Sequence, residues 1–530
     1  MSYKYLLHLI TDELHFDSTG YPQITVVSLS MSYIAALFIW IIYILLALMP
    51  HYYYTRRFPS NILAPFVLPS AYTMVTNVVI ANFFSTFLSL ANSVLDYIPL
   101  RQVASIFGTA AINFFVILLG TLLAFVYLDI NRRNIRRLLK LNALIWILIS
   151  VYCNYELVVN RFYQQNIASS GGLEFTPTVQ ASCVFGQQFL NGTPPYQYLW
   201  DTTYDRLKAG DAFILWSEES VAVFDIAQEH ELINQGIAAV VDHGKKSFLG
   251  LTYLVTLESN AQPNNVIKYT LTNRFTLIAP DGTIAWIYEK AFPVPIVEAN
   301  TKPGPRILPL YESKQYGRIS GAICFDLDFP DYIRGAGINQ VSIFLQPSWT
   351  WGDVGTRHFD SDSVRSVENG FTLIRCTSDG ESGIIGILFF VLSNAFHYNR
   401  ILADSIRRVC LFVVGPDGVV SARLYTGHNP VLPATFNVQL FDRVNTIFPC
   451  VGFLFEYLCT IFSILVVIAS CMPKERAEKI VSVLNFSDYM EFPTDNENER
   501  EIVKTLSMTR INSSQDVTPR GGIGDDWKRQ

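Results

Sequence analysis

The chain is 530 residues long, enough for more than one structural unit; half of it is hydrophobic and only 16% is charged. Soluble domains carry about a quarter charged residues, so a mean hydropathy of +0.27 implies that lipid solvates part of this chain. The net charge of −6 gives no basic footprint for a nucleic-acid partner, and eight scattered cysteines without a CxxC pair indicate neither a zinc ribbon nor a dense disulfide framework.

In chain order, four apolar stretches crowd the first third, at residues 26–48, 62–84, 104–128 and 141–159, and a fifth lies at 447–471. Each is near or above the ~20 residues that cross a bilayer core as a helix. Residues 1–25 lack a cleavable-signal pattern, so the first stretch reads as an uncleaved anchor. Arg56 and Arg57 follow it, Arg132, Arg133, Arg136, Arg137 and Lys140 follow the third, and Lys474, Arg476 and Lys479 follow the fifth. The opposite loop, 85–103, has only Arg101. Positive loops favour the cytoplasm, so five spans place the large middle region on the non-cytoplasmic side and the C-terminal tail in the cytoplasm. Segment 83–95 is too short and polar to cross and reads as a re-entrant or interfacial piece.

The expected plan is a membrane bundle over 1–164 with about four transmembrane helices, an extramembrane domain over 165–442, a closing transmembrane helix over 443–472 and a disordered polar tail over 473–530. The sequons at Asn485 and Asn512 fall in that tail, and Asn191-Gly-Thr falls in the outer domain. Within the domain, residues 212–216, 248–257, 269–278, 283–288, 319–324 and 341–345 read as strands, and 223–239, 330–335 and 357–369 as helices. Strands interleaved with helices predict an α/β layered domain with two sheets, an αββα sandwich beside the multi-pass helical bundle.

Glu218, Lys290 and Cys324 each close an apolar run, where side chains of α/β enzymes face a crevice. Taken singly, Cys324 reads as a small buried residue, Glu218 as a surface carboxylate and Lys290 as a solvated strand end. Their flanks change that reading. FILWSEES (213–220), WIYEKAFPVPIVEA (286–299) and GRISGAICFDLDFP (317–330) resemble the nitrilase superfamily, and the membrane region, with PLRQ at 99–102, resembles its apolipoprotein N-acyltransferase branch. The resemblance covers roughly residues 60 to 470.

It implies a nitrilase-like fold with Glu218 as general base, Lys290 as triad cation, Cys324 as nucleophile, and Glu298 as supporting carboxylate. Ile323-Cys324-Phe325-Asp326 resembles the family's Ile-Cys-Tyr-Glu, with Asp326 in place of Glu and, further back, Val297 in place of Gly. Pro347-Ser348-Trp349 resembles the segment after the next strand, and Arg365-x2-Glu368-Asn369-Gly370 and Arg375-Cys376-Thr377 resemble the following helix and strand. Residues 384–410 read as an insertion that would interrupt a core strand before LFVVGPDGVV (411–420).

A thiol with a reference pKa near 8.5 is mostly protonated at neutral pH, so a neighbouring carboxylate must take its proton. Lys290 and the Phe325 N–H are suitable donors to an oxyanion. The expected partners are the membrane, a phospholipid acyl donor and an amine acceptor, possibly the N-terminal cysteine of a lipoprotein. Trp349, Trp351, Phe359 and residues 292–297 are candidate wall or lid positions. Alternatives are a membrane-tethered amidase or hydrolase, and an impaired lipid-binding relative. Arg365 and Glu368 read as an internal ion pair, and His358 as helix-start structure. Asp326 and Asp328 have no histidine nearby in sequence, so neither a metal nor another cofactor is expected.

Overall fold

The computed structural model describes most of residues 37–128, scattered positions in 139–151, and residues 178–184, 196–256, 271–295, 298–380, 408–414, 420–426, 434–439, 443–473 and 475–477. Residues 1–36, the fourth apolar stretch from 152 onward, Asn191, Val297, residues 384–407, Asn485, Asn512 and the tail beyond 477 lie outside the described residues. Residues to Cys471 form one compact unit and those from Met472 a second, of which only five positions are described.

Three apolar helices come first: α1 (Leu37–Arg57), α2 (Ala64–Ile80) and α3 (Ala104–Tyr127). The first runs past its expected end at residue 48 to Arg57, because Tyr52, Tyr53 and Tyr54 extend the apolar run into the basic pair. Segment 83–95 makes no crossing: Ser89 caps a short 3-10 turn, Leu90–Ser93, whose Ala91 N–H reaches Asn113 Oδ1 at 2.8 Å.

Apolar alternation then decides the faces of two sheets. Sheet one has the order β13-β1-β2-β4-β5-β6, with β3 beside β4. Its strands are β1 (Thr178–Val184), β2 (Phe213–Trp216), β3 (Val221–Val223), β4 (Phe248–Thr256), β5 (Leu271–Ile278), β6 (Ile284–Glu289) and β13 (Ala434–Gln439). Phe213 and Leu215 join the large core shared with the second sheet, whereas Ile214 and Trp216 pack with α4 (Tyr196–Ala209) and α5 (Ile226–His243).

Sheet two has the order β12-β11-β10-β9-β8-β7. It comprises β7 (Tyr311–Ser313), β8 (Gly317–Gly321), β9 (Ile343–Trp351), β10 (Thr372–Gly380), β11 (Arg408–Val414) and β12 (Val420–Thr426), with α6 (Pro330–Ile338) and α7 (Gly352–Asn369) alongside. The expected layering of helix, sheet, sheet and helix is therefore present.

Two expectations need correction. Residues 319–324 are not one strand: β8 ends at Gly321, and Cys324–Asp328 form a 3-10 turn closed by Asp326 Oδ2 accepting from the Ile323 N–H at 3.0 Å. Within residues 411–420, 411–414 end β11 and Val420 opens β12, and the two strands pair antiparallel. β10 pairs antiparallel with β11, Leu373 opposite Val414, and the expected insertion falls outside the described residues except for Arg408–Cys410, which open β11. The sequence also gave no sign of the Cys183–Cys376 disulfide, which joins β1 to β10 and so ties the two sheets together.

The closing helix α8 (Phe448–Cys471) is, with α1 and α3, one of three helices among the described residues long and apolar enough to cross a membrane. Leu37, Phe38 and Trp40 on α1, Leu119, Leu123 and Val126 on α3, and Leu454, Tyr457, Leu458 and Ile461 on α8 are exposed. Gly108 breaks α3 with φ 67°, and a Cβ there would stand 2.5 Å from the Phe448 ring. The break bares the Thr109 N–H, which donates to Glu368 Oε1 at 3.1 Å. Arg365 pairs with Glu368 in turn. Thr86 donates through N and Oγ1 to the Asp328 carbonyl at 3.2 and 3.0 Å.

Candidate active site

The parallel pairs β2–β4 and β8–β9 bring the C-terminal ends of β2, β8 and β9 to one end of the sandwich. Glu218 follows β2, Cys324 opens the turn after β8, and Lys290 follows the antiparallel β6. The Glu218 N–H donates to the Ser348 carbonyl at 3.3 Å, and the Lys290 N–H to the Asn273 carbonyl at 2.9 Å, so β9 and β5 fix both residues through the backbone. Gly304 lies against the Glu289 carbonyl, where a Cβ would approach to 2.3 Å. That close approach lets the Gly304 N–H cap the Lys290 carbonyl at 2.7 Å.

Lys290 Nζ donates to Glu218 Oε1 at 2.7 Å and to Glu298 Oε2 at 2.6 Å. The Lys290 and Glu218 side chains are each 2% exposed, and Glu298 is 11% exposed. Glu218 Oε1 also accepts from Asn273 Nδ2 at 2.9 Å, and Oε2 from the Trp349 N–H at 2.8 Å. Its carboxylate meets the Cys324 thiol as well. Cys324 Sγ lies 3.5 Å from the Trp349 carbonyl. The structure thus brings Glu218, Lys290, Cys324 and Glu298 into one cluster. Trp349 contributes its backbone; its ring is only half-buried. The side chains of Trp351 and Phe359 are outside the described residues.

Cys324 has φ 47°, a left-handed conformation that is strained for a residue with a Cβ. It turns the thiol out of the strand direction and starts a turn in which Phe325 follows immediately. The Phe325 ring packs edge-on to Phe329 at 5.2 Å.

Electrostatics follow from burial. Burial pushes the Glu218 carboxyl up, against the pull of Lys290. Burial would lower the Lys290 ammonium, but Glu218 and then Glu298 hold it well above its ordinary value. Burial, then the Glu218 charge, push the Cys324 thiol up, while Lys290 and Arg375 oppose them. The resting site therefore holds a thiol, not a thiolate.

Asp326 ties two loops together. Its Oδ1 accepts from the Phe292 N–H at 2.7 Å, and its Oδ2 from Ile323 N at 3.0 Å and Tyr288 Oη at 2.8 Å. Burial raises this carboxyl to about 7. Phe292 stacks on Phe329 at 3.9 Å and lies under Arg306 at 4.5 Å.

Behind the turn lies a buried polar layer that the sequence reading did not assemble. Gln346 Nε2 donates to the Cys324 carbonyl at 2.9 Å and to Asp362 Oδ2 at 2.8 Å. Arg375 pairs with Asp362, donates to Ser348 Oγ at 2.9 Å and meets His358 Nδ1 at 3.0 Å. His358 is inside α7, not at its start, and its Nε2 lies 2.9 Å from Asp328 Oδ2. Burial and Arg375 lower its pKa, leaving it neutral. Asp328 thus does have a histidine beside it, and Asp328, His358 and Asp362 offer atoms within 4.8 Å of one another. The guanidinium of Arg375 already supplies the cation there, so this donor set does not fit a metal.

The residues missed are Asn273, Gln346 and Asp362, and Arg375 was read only as part of a matching strand; Asn273, Gln346 and Arg375 are polar side chains within strands, which was the available signal.

No protein-family model matches the chain, and no curated protein matches it in sequence. Among solved structures it is similar to an amidase from Nesterenkonia sp., with 17% identity, 53% of this chain and 96% of that chain covered, and a TM-score of 0.37. It is similar to a cysteine-to-alanine variant of the Nesterenkonia AN1 amidase from the nitrilase superfamily, with 18% identity, coverage of 51% and 94%, and a TM-score of 0.36. A further variant of that amidase, carrying the acetamide moiety of fluoroacetamide on its active-site cysteine, matches at 16% identity, coverage of 53% and 95%, and a TM-score of 0.35. The likeness is one of fold, to nitrilase-superfamily amidases.

Proposed function

We propose that this chain is a membrane N-acyltransferase that moves a fatty acyl group from a phospholipid through a Cys324 thioester to an amine, such as the N-terminal amine of a lipid-modified cysteine in a lipoprotein. The observation that carries this reading is Lys290 Nζ bridging Glu218 and Glu298 beside the thiol of Cys324.

Glu218 takes the thiol proton as Sγ attacks the ester carbonyl, which a resting thiol requires. Two of the three Lys290 N–H bonds go to carboxylates. The third and the Phe325 N–H serve the developing oxyanion, each such donor being worth about 2.7–4 kcal/mol. Collapse breaks the ester C–O bond, and Glu218 returns the proton to the lysolipid alkoxide. The acceptor amine then attacks the thioester. Glu218 takes the amine proton and passes it to the departing Cys324 sulfur.

The exposed apolar faces of α1, α3 and α8 support a lipid donor, since drawing each acyl CH2 into water costs about 0.8 kcal/mol. The disulfide between β1 and β10 supports an oxidising, non-cytoplasmic side for the domain, with the basic loops and the tail in the cytoplasm.

Incubating the purified protein with defined phospholipids and weighing the Cys324 peptide tests the reading. An acyl mass on Cys324 that disappears on adding an amine, with acylated amine as product, is the expected result. Free fatty acid as sole product would make the chain a hydrolase, and the absence of any adduct from wild type would sink the proposal.

A further inference from the structure

One carboxylate of this cluster has no task in the chemistry above. Glu219 follows Glu218 and has φ 55°, a strained backbone for a residue with a Cβ. Its Oε1 lies 3.4 Å from Asn273 Nδ2, and carboxylate oxygens of Glu218, Glu219 and Glu298 lie within 4.8 Å of one another. Glu219 thus stands beside the two carboxylates that hold the Lys290 ammonium.

The members differ in depth. Glu218 and Lys290 form the floor, whereas Glu219 and Glu298 are partly exposed. Asn273 is fully buried, and its Oδ1, like Glu298 Oε1, has no hydrogen-bond partner among the described residues. The buried part of the cluster therefore holds acceptors in excess of donors, the complement of an alkylammonium with three N–H bonds.

The geometry points to Glu219 as the residue that receives the acyl acceptor, binding its amine as the ammonium ion beside Glu298. This inference rests on the acyl-transfer reading and assigns its second substrate a place. Burial, then the charges of Glu298 and Glu218, hold the Glu219 carboxyl well above its ordinary value, and the charge of a docking ammonium works against that rise. Passing one of its own protons to Glu219 then leaves a neutral amine, which forms the C–N bond as the C–S bond breaks. The proton on Glu219 goes to solvent when the amide departs.

The test separates the two halves of the reaction in Glu219→Gln. Adduct formation on Cys324 from phosphatidylethanolamine vesicles is timed first. The adduct is then discharged with a lysyl peptide, cationic at neutral pH, or with hydroxylamine, largely uncharged there. The expected result is a loss of about tenfold or more in kcat/KM for the peptide relative to hydroxylamine, carried by KM. The gap should close as pH rises past the amine's own pKa. Glu219→Gly, in which the left-handed backbone is relaxed, should reproduce the effect and guards against a folding defect in the first variant. Equal slowing of both acceptors, or a slowing of adduct formation as large as that of discharge, would overturn the assignment to the acceptor while leaving acyl transfer intact. Failure of wild type to form an adduct overturns the acyl-transfer reading itself, and this inference with it.

Discussion

Thr86 donates twice, through its backbone N–H and its Oγ1, to the carbonyl of Asp328. Asp328 ends the turn that Cys324 begins, and Arg365 donates to the same Oγ1 at 2.9 Å. The turn that begins at Cys324 thus rests on the segment between two apolar helices, and its geometry depends on that segment. Thr86→Val keeps the shape and removes the hydroxyl. Leaving buried donors and acceptors short should cost about 1–3 kcal/mol. Thermal unfolding in detergent reads that cost, and alkylation of Cys324 by iodoacetamide should change in rate alongside it.

Lys290→Met removes the ammonium that bridges Glu218 and Glu298. Adduct formation should fall by about 100-fold or more, measured as the initial rate of Cys324 acylation. Breaking the buried pair should also destabilise the fold by about 3–5 kcal/mol. That loss should be smaller at pH 5 than at pH 8, because the abandoned Glu218 carboxyl, already raised by burial, can then protonate. Equal losses at the two pH values would show that unpaired charge is not the cause.

Asp326 makes a pH prediction with a definite sign. Its folded pKa of about 7 lies above its unfolded value. Between about pH 4 and pH 7 the folded state therefore binds more protons than the unfolded one, and this group's contribution to stability falls as pH rises, then levels off. Asp326→Asn should flatten that part of the curve. Comparing denaturant midpoints of the two proteins across this range checks it.

Gly108→Ala places a Cβ 2.5 Å from the Phe448 ring in a left-handed conformation. Strain and overpacking together should cost about 2–5 kcal/mol. The contact of Thr109 with Glu368 should loosen first, read as faster amide hydrogen exchange at Thr109.

Much of this arrangement was legible in the sequence for a local reason. β2 alternates its apolar residues between two cores, and Glu218, Lys290 and Cys324 each stand just past such a run. The apolar lengths of α3 and α8 were equally plain. Illegible were the relationships across distance. Asn273 meets Glu218 from 55 positions away, and Arg375 reaches Ser348 from 27. Neither contact leaves a periodic trace, because pairing of strands, not spacing along the chain, creates it. The left-handed backbones of Glu219 and Cys324 were hidden for a related reason, since no glycine marks either position.

The bridge between β1 and β10 also constrains how the protein is made. Its two cysteines are 193 positions apart, and Cys324 lies between them in chain order. A growing polypeptide that enters an oxidant with Cys183 exposed meets the Cys324 thiol before its proper mate has been synthesised. Biogenesis must therefore either bury Cys324 in its turn before Cys376 arrives or rely on thiol exchange to undo the wrong link, a step that takes seconds to hours. The yield of active enzyme should accordingly follow the supply of isomerase in the compartment that folds it.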